Sequence, residues 1–255
     1  MIRTLNGLRV LNTRPQNQAR ALSKSITDAG GISIECPTLE IKTTSKAWIR
    51  TLPLSEVNQA IFVSANAVHY CFTQLKSNNI QWPTQIKVIA IGQGTAKALH
   101  ELNIEVNDIP EAPDSENLLN LDTLQQIKNQ TVLLFKGEGG RELIERGLLQ
   151  RGAKTIILNV YKRVLPQIRH QFINSLWRDD LVDIILLTSE QSIHNLFKIF
   201  SKDAHDWLQE KPCLVISERL GKSASLLGMK KIIISRPDRM MNTLLDYSQG
   251  LIHGQ

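Results

Sequence analysis

With 255 residues, 42% of them hydrophobic, the chain is long enough for one large domain or two ordinary ones and apolar enough to bury a core, which excludes a disordered protein. Its net charge of +6 suits an anionic partner, but there is no basic tract and aromatic residues make up only 5%, which argues against a stacking platform for nucleic-acid bases. Cys36, Cys71 and Cys213 form no C-x-x-C pair, the histidines are dispersed, and no apolar run nears the roughly 18–20 residues that cross a bilayer, so the sequence predicts reduced thiols, no metal site and a soluble cytoplasmic protein.

In chain order, the apolar run LRVLN (8–12) reads as a strand ending in Thr13 and Arg14, and a helical pattern carries the chain to ISIEC (32–36). AIFV (60–63) leads into Ser64, Ala65 and Asn66. KVIAI (87–91) leads into Gly92, Gln93, Gly94 and Thr95, and IEVN (104–107) follows the next helix. TVLLF (131–135) runs into the Gly-rich turn Lys136 to Gly140, and TIILN (155–159) ends just before Tyr161. DIILL (183–187) precedes Thr188 and Ser189, CLVI (213–216) precedes Ser217 to Arg219, and KIIIS (231–235) is the last run. Continuous apolar strands separated by amphipathic helices predict an α/β protein with parallel sheets covered on both faces.

The chain also resembles itself. IFVSANAVHYCF (61–72) matches LLTSEQSIHNLF (186–197), so that Ser64 falls on Ser189, 125 residues on, and His69 on His194. At the same offset Gly92 falls on Ser217 and Lys97 on Lys222. The segment from Val10 matches that from Val132, with Gly30 on Gly152, at an offset of 122. Such a long period indicates duplication of a whole five-stranded α/β unit rather than a solenoid of short repeats. It leaves open whether the halves lie in tandem, with a break near Asn129, or interleave. Two such units are expected to make a ligand cleft between them, with ligands beyond the carboxyl ends of the strands.

The residues after the strands are rich in hydroxyls and helix-opening amides, which hold carboxylates or phosphates well. Ser64, Ser189 and Ser217 are equally good helix N-caps, and a cap needs no ligand. Gly92-Gln93-Gly94 is a weak dinucleotide signal: Lys97 stands where a third Gly belongs, and Glu111, near the ribose-binding distance, sits in a loop. Lys136 and Arg141 flank a Gly-rich turn that lacks the Lys-Ser or Lys-Thr of a triphosphate loop but suits a carboxylate. His69 and His194 read as decoration of helix faces. Tyr161 reads either as hinge packing or as a proton donor.

Taken in order, TRP (13–15), FVSANAV (62–68), AIGQGTAKAL (90–99), KGEGGRELI (136–144), LNVYKR (158–163), LLTSEQSI (186–193) and VISERLGKSA (215–224) resemble the uroporphyrinogen-III synthase family over essentially the whole chain. The resemblance implies two flavodoxin-like domains with five-stranded parallel sheets and interleaved topology. One would comprise 1–37 and 166–255 and the other 42–160, joined by linker strands at 38–41 and 161–165. It implies a monomeric cytoplasmic lyase of haem biosynthesis, without cofactor or metal, that closes the polycarboxylate hydroxymethylbilane into uroporphyrinogen III, inverting the last ring and losing water. Tyr161 matches the family tyrosine considered as the acid, and Ser64, Thr95 and Ser189 match cleft hydroxyls. Gly92 belongs to the same rim, and Arg14 and Lys136 are added here as carboxylate contacts. Asn66 stands where some members carry Arg, and Ser217 and Arg219 replace a Gly-x-x-Thr turn. A non-catalytic two-domain binder of an anionic metabolite is the alternative, and no nucleic-acid or membrane partner is expected.

Overall fold

The structure, a computed structural model, describes residues 4–250. Its elements in chain order are β1 (Arg9–Asn12), α1 (Gln16–Asp28), β2 (Ile32–Glu35), β3 (Glu40–Thr43), β4 (Gln59–Phe62), α2 (Ala65–Ser77), β5 (Lys87–Ala90), α3 (Gln93–His100), α4 (Ser115–Leu119), β6 (Thr131–Gly137), α5 (Leu143–Gln150), β7 (Lys154–Val164), α6 (His170–Arg178), β8 (Ile184–Leu187), α7 (Glu190–Ile199), α8 (His205–Glu210), β9 (Cys213–Val215), α9 (Glu218–Leu226), β10 (Ile232–Ile234) and α10 (Met240–Ser248). The chain divides into two compact units, Met1–Glu40 with Val164–Gln255, and Ile41–Arg163. Among the described residues no helix is long and apolar enough to cross a membrane.

The first unit holds a five-stranded sheet in the order β10-β9-β8-β1-β2 with every neighbouring pair parallel, so the opening strand–helix–strand segment is built into the sheet of the C-terminal half. All four residues of β8 are buried, as a strand covered on both faces requires. Helix α1 buries Ala19, Leu22 and Ile26, one stripe at spacings of three and four. Each such fully buried Leu or Ile is worth about 1.5–3 kcal/mol relative to exposure.

At the start of β1 and just before β8, Asp183 accepts from the Arg9 backbone N–H (2.7 Å) and from the Arg9 guanidinium at 3.1 and 2.5 Å. Burial alone would raise the Asp183 carboxyl, but the hydrogen bonds from Arg9 and its charge outweigh that and hold the carboxyl below its ordinary value. A depressed folded-state value means that this contribution is in place above the unfolded value, about 3.9, and is lost as pH falls through the folded one. Asp183→Asn is therefore expected to lower the thermal midpoint at pH 7 and to flatten its decline below about pH 4. An unchanged acid limb in thermal melts would remove Asp183 as a contributor.

The second unit has the order β3-β7-β6-β4-β5, with β7-β6, β6-β4 and β4-β5 parallel. The internal repeat is visible in the elements: β4 shifted by 125 residues coincides with β8, and β1 shifted by 122 coincides with Thr131–Leu134 of β6. Gly30 and Gly152, paired by the same repeat, both turn left-handed after their helices, at φ +77° and +75°.

Two strand expectations need correction. The segment 104–107 is not a strand; only an isolated bridge joins Ile89 to Asp108. The Asn107 side-chain oxygen takes the Val88 N–H (2.7 Å), which a ladder carbonyl would otherwise accept, and Pro110 follows two residues after the bridge. The fifth strand of this sheet is instead β3, at the opposite edge beside β7. The run expected to end at Asn159 continues to Val164, so Tyr161 lies inside β7 rather than after it. All three cysteines are buried and unpaired, and burial pushes the Cys36 and Cys213 thiols up to about 12 and raises that of Cys71, which keeps them protonated at neutral pH.

Candidate active site

In the second unit, β4 ends two residues before Ser64, whose extended backbone and side chain start α2: its Oγ accepts the Ala67 N–H at 3.0 Å. Beside β4, strand β6 pairs with β7 in regular register up to Lys136 opposite Asn159, then shifts so that Gly137 faces Tyr161. This bulge sets Tyr161 over a residue without a side chain. A Cβ on Gly137 would lie 2.6 Å from both Cε2 and Cζ of the ring, so the ring occupies space that only glycine leaves free.

The Tyr161 side chain is 2% exposed and stacks on Tyr70 at 6.0 Å between ring centres. Its hydroxyl is 3.2 Å from the Ser64 Oγ and accepts from the Arg163 guanidinium at 3.4 Å, with Arg163 also over the ring face at 5.5 Å. Tyr161 thus packs by its ring and makes polar contacts by its hydroxyl. Tyr161 lines a pocket of about 260 Å³ together with the polar residues Ser64, Ser115, Lys136, Arg141 and Arg163. That is below the roughly 300–1,000 Å³ of sites for drug-sized ligands, so it accommodates one ring or acid arm of a larger molecule.

The expected cations are less free than the sequence suggested. Lys136 forms an ion pair with Glu145, both largely buried, which neutralises it locally. Arg141 lies 3.6 Å from Glu116, on the exposed surface. The structure adds Arg163, which the sequence reading missed. Residues two apart on a strand share a face, so an extension of β7 through 164 would have placed Arg163 beside Tyr161.

Gly92 and Thr95 line a second pocket of about 390 Å³, with Gln93, Gly94, Pro110 and Pro113. A Cβ on Gly92 would lie 2.7 Å from that of Pro113, so this glycine is required by the packing of the 110–113 loop. That accounts for Gly92 by packing, while a Cβ on Gly94 would meet nothing within 4 Å. Asn66 is half-buried in the first turn of α2 and is not among the residues lining either pocket.

In the first unit the strand ends carry Arg14, Ser189, Ser217 and Arg219. Thr13 donates to the Leu186 carbonyl at 2.6 Å and fixes the end of β1 against β8. Arg14 follows, half-buried, with its Nη2 donating to Gln18 at 3.4 Å and its Nε buried without a partner. Ser189 caps α7 through the Ser192 N–H (3.1 Å) and Ser217 caps α9 through the Leu220 N–H (3.3 Å). Such caps are worth about 0.5–2 kcal/mol each. Arg219 pairs with Glu190 at 2.8 Å, a mostly exposed link between α9 and α7. His69 and His194 are exposed on their helices.

Comparison with known proteins agrees with this architecture. Residues 20–242 match the family model described as Uroporphyrinogen-III synthase HemD. The uroporphyrinogen-III synthase of Proteus mirabilis is 35% identical over 159 residues, 61% of this chain and 80% of that protein. That of Escherichia coli K12 is 29% identical over 231 residues, covering 89% of this chain and 94% of its own length. Among solved structures, a mutant uroporphyrinogen III synthase of Thermus thermophilus superposes with a TM-score of 0.62 at 18% identity, covering 96% of this chain and 98% of that one. The Helicobacter pylori uroporphyrinogen-III synthetase gives 0.59 at 16% identity, covering 96% and 100%. At these identities the solved structures support the fold, two flavodoxin-like α/β units.

Proposed function

The chain belongs to the uroporphyrinogen-III synthase family, and from that premise we propose that it closes the linear tetrapyrrole hydroxymethylbilane into uroporphyrinogen III, as a cyclising lyase of haem biosynthesis, with Tyr161 as the proton donor. The observation that carries the residue assignment is Tyr161 in the lining of a pocket with Ser64 and Arg163, both of which its hydroxyl contacts. A polycarboxylate substrate is favoured by such a lining, and by the helix N-termini that open after the strands.

In the reaction, the bond from the terminal methylene carbon to its hydroxyl breaks, and its electron pair leaves on oxygen. The pyrrole nitrogen drives that departure by conjugation, and the phenol supplies the proton that makes the leaving group water. The last pyrrole ring then attacks the methylene carbon through the α-carbon that already carries its bridge; the bond from that carbon to the bridge breaks, and the bridge carbon bonds instead to the ring's free α-carbon, which inverts the ring. The proton released from that free α-carbon restores the phenol, so the cycle consumes hydroxymethylbilane and releases uroporphyrinogen III and water. Holding the chain in a folded conformation is the larger share of the work, since correct orientation alone can supply about 7–11 kcal/mol. The buried, unpaired cysteines support a reducing compartment, and the cytoplasm is the site proposed.

The test is to incubate the protein with freshly generated hydroxymethylbilane and separate the type III and type I isomers. The III isomer is expected in excess. Only the I isomer, the spontaneous product, would overturn the assignment.

A further inference from the structure

We propose that Arg163 is a positioning residue that holds the Tyr161 phenol by donating to its oxygen and offsets the negative charge left there when the proton departs. The proposal rests on Tyr161 acting as the acid, and it begins with the hydrogens. A guanidinium can only donate, so the contact from Arg163 Nη2 to the phenol at 3.4 Å occupies a lone pair of the phenol oxygen. The Ser64 Oγ accepts the Ala67 N–H at 3.0 Å and lies 3.2 Å from the same phenol oxygen, a contact in which either hydroxyl can donate. The contact from Arg163 leaves the phenol its own hydrogen to donate, to Ser64 at rest or to a substrate oxygen in the reaction. Tyr161, Ser64 and Arg163 line one pocket, where the departing hydroxyl would lie.

The charge distribution supports the same role. Lys136 is held by Glu145, Arg141 is 3.6 Å from Glu116, and no carboxylate lies within ion-pair distance of Arg163 among the described residues. Its charge is therefore not cancelled by a partner when the phenol O–H breaks and the proton joins the hydroxyl to form water. The phenolate persists until the ring's free α-carbon releases its proton, and during that interval Arg163 stands against both its oxygen and its ring face.

The test is a set of four variants in the same cyclisation assay, with the wild type as control: Arg163→Met, Arg163→Lys, Tyr161→Phe and the double variant Arg163→Met/Tyr161→Phe. Arg163 is exposed, so the Met variant is expected to fold, and circular dichroism checks this; Arg163→Lys carries the comparison if it does not. Arg163→Met is expected to lower kcat about 30- to 100-fold with KM changed less than about threefold, and Arg163→Lys to recover about tenfold of that loss. In the Tyr161→Phe background the same Met substitution should cost less than about threefold, because the group it serves is gone. A full loss in that background, a loss confined to KM, or no rescue by Lys would overturn the proposal. Failure of the underlying reaction assignment shows itself separately, as a wild type that yields only the I isomer.

Discussion

Replacing Tyr161 by Phe is expected to lower kcat for uroporphyrinogen III formation by about 100-fold, with the fold retained and KM nearly unchanged. The substitution deletes one oxygen and keeps the ring. The stack on Tyr70 and the fit over Gly137 therefore survive, and the hydroxyl gives up only its contacts with Ser64 and Arg163. Those two contacts are worth about 1 kcal/mol each at most, so the thermal midpoint should move by only a few degrees. KM should hold because the proton moves only as the carbon–oxygen bond breaks, and an interaction made only then leaves substrate binding alone. The residual activity should still favour the III isomer, since the sense of ring closure depends on how the bilane is folded and not on the acid. A kcat equal to wild type would remove Tyr161 from the mechanism, while a shift to the I isomer would assign the hydroxyl to positioning the substrate.

How far such a site can be read from the chain alone depends on what each residue's role rests on. The strands were legible because a strand covered on both faces must be a continuous apolar run, and β4, β6 and β8 are such runs. The duplication was legible because it preserves spacing, and the structure retains it in the coincidence of β4 with β8. IEVN (104–107) misled because its pattern is right and one side chain, Asn107, replaces a ladder acceptor. β3 was invisible as a sheet member, since a four-residue edge strand with no fully buried residue carries almost no pattern. At the site, Ser64, Ser189 and Ser217 could be placed at strand ends but not assigned, because capping and ligand binding ask for the same hydroxyl. The pairing of Lys136 with Glu145 and of Arg219 with Glu190 depends on neighbouring side chains, which spacing along the chain does not record. The meaning of Gly137 was hidden for a related reason: its role is set by Tyr161, which faces it across a register shift between two strands.

That register shift leads to the second large effect, which Gly137→Ala should produce without touching any polar group. The new methyl would overlap Cε2 and Cζ of Tyr161 at 2.6 Å and approach its hydroxyl oxygen at 3.0 Å. The ring cannot swing away cheaply, because it is buried against Tyr70 and belongs to the core that includes Phe135 and Val160. The backbone cannot easily yield either, since the Glu138 N–H is held by the Tyr161 carbonyl at 2.8 Å. Overpacking of this kind costs about 1–3 kcal/mol, enough to lower the thermal midpoint by several degrees while leaving the fold intact. The phenol is displaced in the same step. A misplacement of about 1 Å at a reacting group can cost about 100-fold in rate, so Gly137→Ala should reduce kcat nearly as much as deleting the hydroxyl. Combining Gly137→Ala with Tyr161→Phe should then add little further loss in kcat, since both act on the same proton. If Gly137→Ala kept wild-type kcat at a lowered midpoint, the position of the phenol would not matter to the reaction, and the bulge would serve packing alone.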